Sequence, residues 1–168
     1  MSREYWDSCL FIAFLQDKPE ERDLVNCIYT LLKRAEDPAT GVMIVVSTLV
    51  LAEVRLKPAY QQEHWAIIQD LFYKNRPYIK VTGLRPRIAD TAATIGEQHG
   101  LFVQDAVHIA TALQEKVDVL LTIDGKRETH TRRRDLLPHD GLIGTPPLSI
   151  KPPSIPPNTQ LLMPYRKE

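Results

Sequence analysis

The chain has 168 residues, 43% of them hydrophobic and 25% charged, with a formal net charge of zero. That length suits one domain with a substantial core, and that composition excludes wholesale disorder. A neutral chain has no global field to draw it toward nucleic acid or anionic lipid, so any polyanion site must be local.

Residues 3 to 9 read as a short strand that passes into a helix, with the polar pair Asp7-Ser8 marking the junction inside the apolar run Y-W-D-S-C-L-F-I-A-F-L. Pro19 with Glu20 and Glu21 starts a second helix, on which Leu24, Ile28, Leu31 and Leu32 form one apolar stripe. The β-branched run 42 to 46 is too short for a helix and reads as a strand buried on both faces. Ser47 then caps a helix that Pro58 ends near Lys57. A helix over residues 60 to 75 carries Trp65, Ile68, Leu71 and Phe72 on one side, and residues 78 to 81 form the next strand. Two further helices follow, the first stopped by Gly100, before a strand at 117 to 123 that ends at Asp124-Gly125. Strands alternating with one or two helices specify an α/β domain with a mostly parallel sheet, because parallel neighbours need long crossovers and helices must cover both faces.

From Pro146 onward seven prolines occur in 23 residues. Apart from a short edge strand at L-S-I-K, this segment reads as an extended tail. The tail either docks on a partner or a second copy of the domain, or forms a disordered end. Cys9 and Cys27 lie in apolar surroundings without the spacing of a zinc or redox site, and no apolar run is long enough to span a bilayer. A reduced, cytoplasmic protein with no secretion signal and no membrane partner is expected.

Ligands of open parallel α/β sheets bind outside the carboxyl ends of the strands. Asp7 falls there after the first strand, Ser47 after the second with Glu53 on the helix beyond it, and Thr122 and Asp124 after the fourth, while Asp105 opens the helix before that strand. Each acid alone has a plainer explanation: a helix cap for Asp7, a solvated helical position for Glu53, a helix-dipole partner for Asp105, a turn for Asp124. Together they are candidates to converge. Converging carboxylates repel unless they share protons or bind a cation, and hard oxygen donors suit Mg²⁺ or Mn²⁺. Such ions can activate a water and stabilise the leaving oxygen of a phosphodiester, which is a hydrolytic nuclease mechanism. The chain has no Gly-rich phosphate loop, and Asp7 is not followed by the D-x-D pairing of a phospho-aspartate phosphatase.

The stretches D-S-C-L-F-I, S-T-L-V-L-A-E-V, Q-D-A-V-H-I-A-T-A-L and L-L-T-I-D-G-K, in this order over residues 3 to 151, resemble the PIN domain, the nuclease fold of VapC-type bacterial toxins. The most specific part is D-A-x-H-I-A-T-A-L followed at the right interval by T-x-D. The resemblance implies a three-layer α/β/α sandwich with a mostly parallel sheet of four to five strands; the domain is expected over residues 1 to 151, and the Pro-rich tail, of which the resemblance says nothing, over 152 to 168. It implies that Asp7, Glu53, Asp105 and Asp124 are the acidic cluster for Mg²⁺- or Mn²⁺-dependent RNA cleavage. Asp7 and Asp105 would be the main metal ligands, Glu53 and Asp124 would complete the shell or position water, and Ser8 and Thr122 would support it by hydrogen bonding. It further implies a cognate antitoxin as partner, and a homodimer. A PIN fold kept as a non-catalytic RNA-binding or assembly module is the competing expectation.

His108 lies three residues beyond Asp105 among Val107, Ile109 and Ala112, and reads as a structural histidine rather than a general base. Residues 126 to 134 carry five basic side chains against one acid immediately after Asp124. Lys126, Arg127, Arg132, Arg133 and Arg134 therefore read either as an RNA-phosphate contact or as a solvated helical face.

Overall fold

A computed structural model describes residues 1–55, 62–125, 135–157, 159, 160 and 162. Five strands form one all-parallel sheet: β1 (Ser2–Trp6), β2 (Val42–Ser47), β3 (Ile79–Thr82), β4 (Val119–Leu121) and β5 (Ile150–Lys151), in the order β3-β2-β1-β4-β5. The helices are α1 (Ser8–Gln16), α2 (Arg22–Glu36), α3 (Thr48–Arg55), α4 (Gln62–Ile68), α5 (Pro86–His99) and α6 (Val103–Gln114). The expected α/β/α sandwich is thus present, with the parallel sheet complete at five strands.

Side chains alternate along each strand, and the alternation divides the core into two layers. Trp6, Ile44 and Val46 pack with Leu10, Phe11 and Ile28 beneath α1 and α2. Tyr5, Val45 and Leu120 pack with Ile88 and Ile109 beneath α5 and α6. All of these are almost wholly removed from solvent.

Several boundaries move from their expected places for local reasons. β1 stops at Trp6 because the Asp7 side chain accepts a hydrogen bond from Ser8 N–H, which caps α1 and turns the chain out of the sheet. β4 begins at Val119 because Val117 N–H donates to Ala112 carbonyl oxygen, holding that residue to the end of α6. From residue 62 on, the single helix expected over 60 to 75 is α4 followed by a π-helical turn at Gln69–Tyr73, while its first two residues and the helix end expected near Lys57 and Pro58 lie outside the described residues. Gly100 ends α5 in the left-handed region, at φ 67°, as expected. No described helix is long and apolar enough to cross a membrane.

One carboxylate serves the core rather than the sheet edge. Glu4 is 7% exposed, accepts from Arg34 Nη1 at 3.0 Å and from Trp6 Nε1 at 3.3 Å, and lies on the same face of β1 as Trp6. Removing the guanidinium leaves a buried charge without its partner, which is costly even where the intact pair contributes little. Arg34→Met is therefore expected to lower the unfolding free energy in urea by about 2–3 kcal/mol. Adding Glu4→Gln should restore most of it, and a double variant no better than the single one would refute this account.

The tail packs on its own domain where it is described. Pro153 is buried, and Leu162 N–H donates to Thr30 Oγ1 on α2 at 3.4 Å. Thr30 in turn donates to Asn26 carbonyl oxygen within α2.

Candidate metal centre

The carboxyl end of β1 delivers Asp7 into a buried position, 5% exposed, between its two neighbouring structures. On one side Asp7 Oδ1 takes the Ser8 N–H at 2.6 Å. On the other, Oδ2 accepts from Thr122 Oγ1 at 2.7 Å and from Cys9 Sγ at 3.0 Å. Thr122 is fully buried just beyond β4, the neighbour of β1, and its Oγ1 also accepts from Asp124 N–H at 3.0 Å. One hydroxyl thereby ties Asp7 to the turn that carries Asp124. Gly125 follows at φ 94°, and a Cβ there would lie 3.0 Å from Asp135 Cβ, so this tight turn suits glycine.

Burial, then the adjacent Asp7 charge, push the Cys9 thiol well above its ordinary range. It stays protonated and acts as a donor to Asp7 rather than as a soft thiolate ligand. Asp124 Oδ2 accepts from Leu136 N–H at 3.1 Å. Its carboxyl is raised by burial and by the charges of Asp135 and Asp7, against the lowering effect of that hydrogen bond.

Asp105 stands in the first turn of α6. Its carboxyl is pushed up to about 7 by burial first, then by the charges of Asp124, Asp7 and Glu53. Glu53 reaches in from α3, with its side chain 22% exposed. Four acids separated by up to 117 positions in sequence thus share one electrostatic environment at the carboxyl edge of the sheet.

His108 lies among them, one turn beyond Asp105 on α6. Its Nε2 is 2.9 Å from Glu53 Oε2 and 3.5 Å from Asp7 Oδ1. Its Nδ1 is 2.7 Å from the Tyr5 hydroxyl. The ring is 1% exposed, as a core histidine would be, yet it touches two of the acids. Burial opposes a charge on the imidazole, and Asp7 and Glu53 outweigh it, so its pKa lies above the usual histidine value. Ligand atoms of Asp7, Glu53 and His108 all fall within 4.8 Å of one another.

The donor set fits a hard divalent cation. Carboxylate oxygens dominate it, the Cys9 thiol is held protonated, and burial first and the neighbouring carboxylates second lift Asp105 and Asp124. Among the expected supporting groups, Ser8 contacts Asp7 through its N–H, with its hydroxyl at 3.4 Å, and Thr122 through a short bond. His108 is within reach of this edge in the sequence but reads as structural, and Tyr5 is not singled out there, since its contact with His108 spans 103 positions. Lys126, Arg127, Arg132, Arg133 and Arg134 lie outside the described residues.

The family model described as PIN domain matches residues 5–143. No curated protein matches the chain in sequence. Among solved structures, the chain is similar to a toxin-antitoxin complex from Klebsiella pneumoniae at 15% identity and TM-score 0.50, covering 78% of this chain and 94% of that one. It is also similar to VapBC2 from Rickettsia felis bound to a DNA fragment from their promoter, at 17% identity and TM-score 0.52, covering 74% of this chain and 89% of that one. At these identities the likeness is one of fold.

Proposed function

We propose, from the premise that this chain belongs to the PIN domain family, that it is a divalent-metal-dependent endoribonuclease and the toxin component of a toxin-antitoxin pair. The observation that carries this reading is the gathering of Asp7, Glu53, Asp105 and Asp124 at the carboxyl edge of the sheet, where burial first and the other three charges second raise the Asp105 carboxyl. Buried carboxylates crowded this way are costly as a bare structural feature and useful as a cation cradle.

Asp7, Asp105 and Asp124 would hold Mg²⁺ or Mn²⁺. Such an ion supplies positive charge that activates a water and stabilises the leaving oxygen of an RNA phosphodiester. Asp7 is fixed for that task by the Ser8 cap and by Thr122 and Cys9 on its other oxygen. Thr122 keeps the turn of Asp124 in step with Asp7 through its second hydrogen bond. Glu53, reaching in from α3 to within 4.8 Å of an Asp7 oxygen, would complete the shell or position a water. Residues 1 to 151 are the nuclease unit in this reading, with RNA as substrate, a cytoplasmic location and a homodimer as the working form. A small antitoxin partner is supported by the toxin-antitoxin complexes among the structures of similar fold.

A non-catalytic RNA-binding or assembly module has one observation in its favour. Asp7 and Glu53 already find partners within the protein.

The test is incubation of purified protein with mixed RNAs in Mg²⁺, in Mn²⁺ and in chelator, beside Asp105→Asn. Cleavage is expected with either metal, and is expected to vanish in chelator and fall steeply in the variant. RNA retention on the protein with no cleavage under any condition would favour the module.

A further inference from the structure

Glu53 has a partly exposed side chain, and it sits on α3 rather than on a strand end. A glutamate in that position has three side-chain torsions and open solvent within reach, so something must turn it inward. The hydrogen bonds around it identify what does so.

The chain of donors begins on the backbone. Ser47 N–H, at the end of β2, donates to the Tyr5 hydroxyl at 3.3 Å. With that lone pair engaged, the Tyr5 O–H is free to donate to His108 Nδ1 at 2.7 Å, which leaves the ring hydrogen on Nε2. Nε2–H then donates to Glu53 Oε2 at 2.9 Å. If the ring carries a second proton, Nδ1–H donates to the phenol instead and Nε2–H still faces Glu53. Tyr5 is fully buried and His108 1% exposed, so packing prevents either ring from turning away. Their rings are 5.8 Å apart at 56°.

We propose that Tyr5 and His108 are a positioning pair: anchored on the Ser47 backbone, they hold the Glu53 carboxylate turned in toward Asp7. The inference rests on the reading of these acids as a cation cradle and assigns to His108 a role that Asp7 and Asp105 do not have. His108 makes no contact with substrate in this role. It acts through Glu53, as outer partners of metal-binding carboxylates do.

Two substitutions of similar size and polarity separate positioning from packing. Gln places an amide N–H near the position of Nε2, whereas Asn places one near Nδ1. His108→Gln therefore keeps a donor toward Glu53, and His108→Asn keeps only the contact with Tyr5. In calorimetric titration with Mn²⁺, His108→Gln is expected to bind within about 3-fold of the unaltered protein, and His108→Asn about 10–100-fold more weakly. Equal losses in the two variants, or none in His108→Asn, would overturn the proposal. Tyr5→Phe, which keeps the ring volume, should fall between them. Imidazole ¹⁵N spectra of the metal-free full chain supply the independent arm. A protonated Nε2 whose hydrogen loses exchange protection in Glu53→Ala supports the clamp, and an Nε2 without hydrogen overturns it. If the unaltered protein takes up no Mn²⁺, the nuclease reading falls, and the imidazole spectra alone decide the clamp.

Discussion

Asp7→Asn is expected to reduce metal-dependent RNA cleavage by more than about 100-fold, a larger loss than outer partners of a metal centre usually cause. The protein should remain folded. The asparagine oxygen can still take the Ser8 N–H that caps α1, and the amide nitrogen replaces the oxygen that faces Thr122 and Cys9. Thr122 can then accept where it formerly donated, since a hydroxyl turns to suit its neighbour. What disappears is the charge. Removing it also relieves one of the repulsions that raise Asp105, so the variant should melt no lower than the parent at alkaline pH without metal. Asp7→Ala, which loses the cap as well, should cost about 1 kcal/mol of stability in addition. Undiminished cleavage by Asp7→Asn, with unchanged metal dependence, would remove this acid from the chemistry.

The second large effect is on stability rather than rate. Asp105 holds its proton up to about pH 7 in the folded chain, against an ordinary aspartate value of 3.8. Between those values the folded state keeps a proton that the unfolded state has released, so stability falls as pH rises through the window. Asp124 is raised too, and its contribution has the same sign. His108 is also raised, and its stabilising proton is likewise lost as pH increases. Each unit corresponds to about 1.4 kcal/mol, and solvent contact at the edge of the sheet reduces the Asp105 contribution to about 2 kcal/mol. For a chain of this size that is a fall of roughly 5 °C in melting temperature between pH 5 and pH 8 in chelator. Mn²⁺ should abolish the fall at pH 8, because a bound cation takes over the compensation that the protons supplied. Identical melting temperatures at the two pH values would contradict the crowding of these acids.

The sequence disclosed its elements where a local signal ends them. Gly100 stops α5 in the left-handed conformation, and Asp7-Ser8 marks the turn out of β1 because capping is a contact between neighbours. The strand order was less accessible: β4 adds beside β1 on the side away from β2, a choice made by packing over long separations. The π-helical turn at Gln69–Tyr73 was hidden for a related reason, since Trp65, Ile68 and Phe72 present the same apolar spacing to a helix reading. Among the acids, strand ends nominated Asp7 and Asp124, and the helices next to strand ends added Glu53 and Asp105. Their relation to Tyr5 and His108 was not legible, because both residues have the ordinary appearance of core side chains and their polar contacts cross most of the chain.

The sheet order also bears on when the acidic cluster can form during synthesis of the chain. β1 leaves the ribosome first, yet it occupies the middle of the sheet, and one of its two neighbours is not made until residue 119. The hydroxyl that fixes Asp7 belongs to Thr122, and Asp124 follows it. A nascent chain therefore carries Asp7 and Glu53 before the partners that complete the cluster are made. The acidic cluster is therefore complete only once β4 and the turn after it have been made.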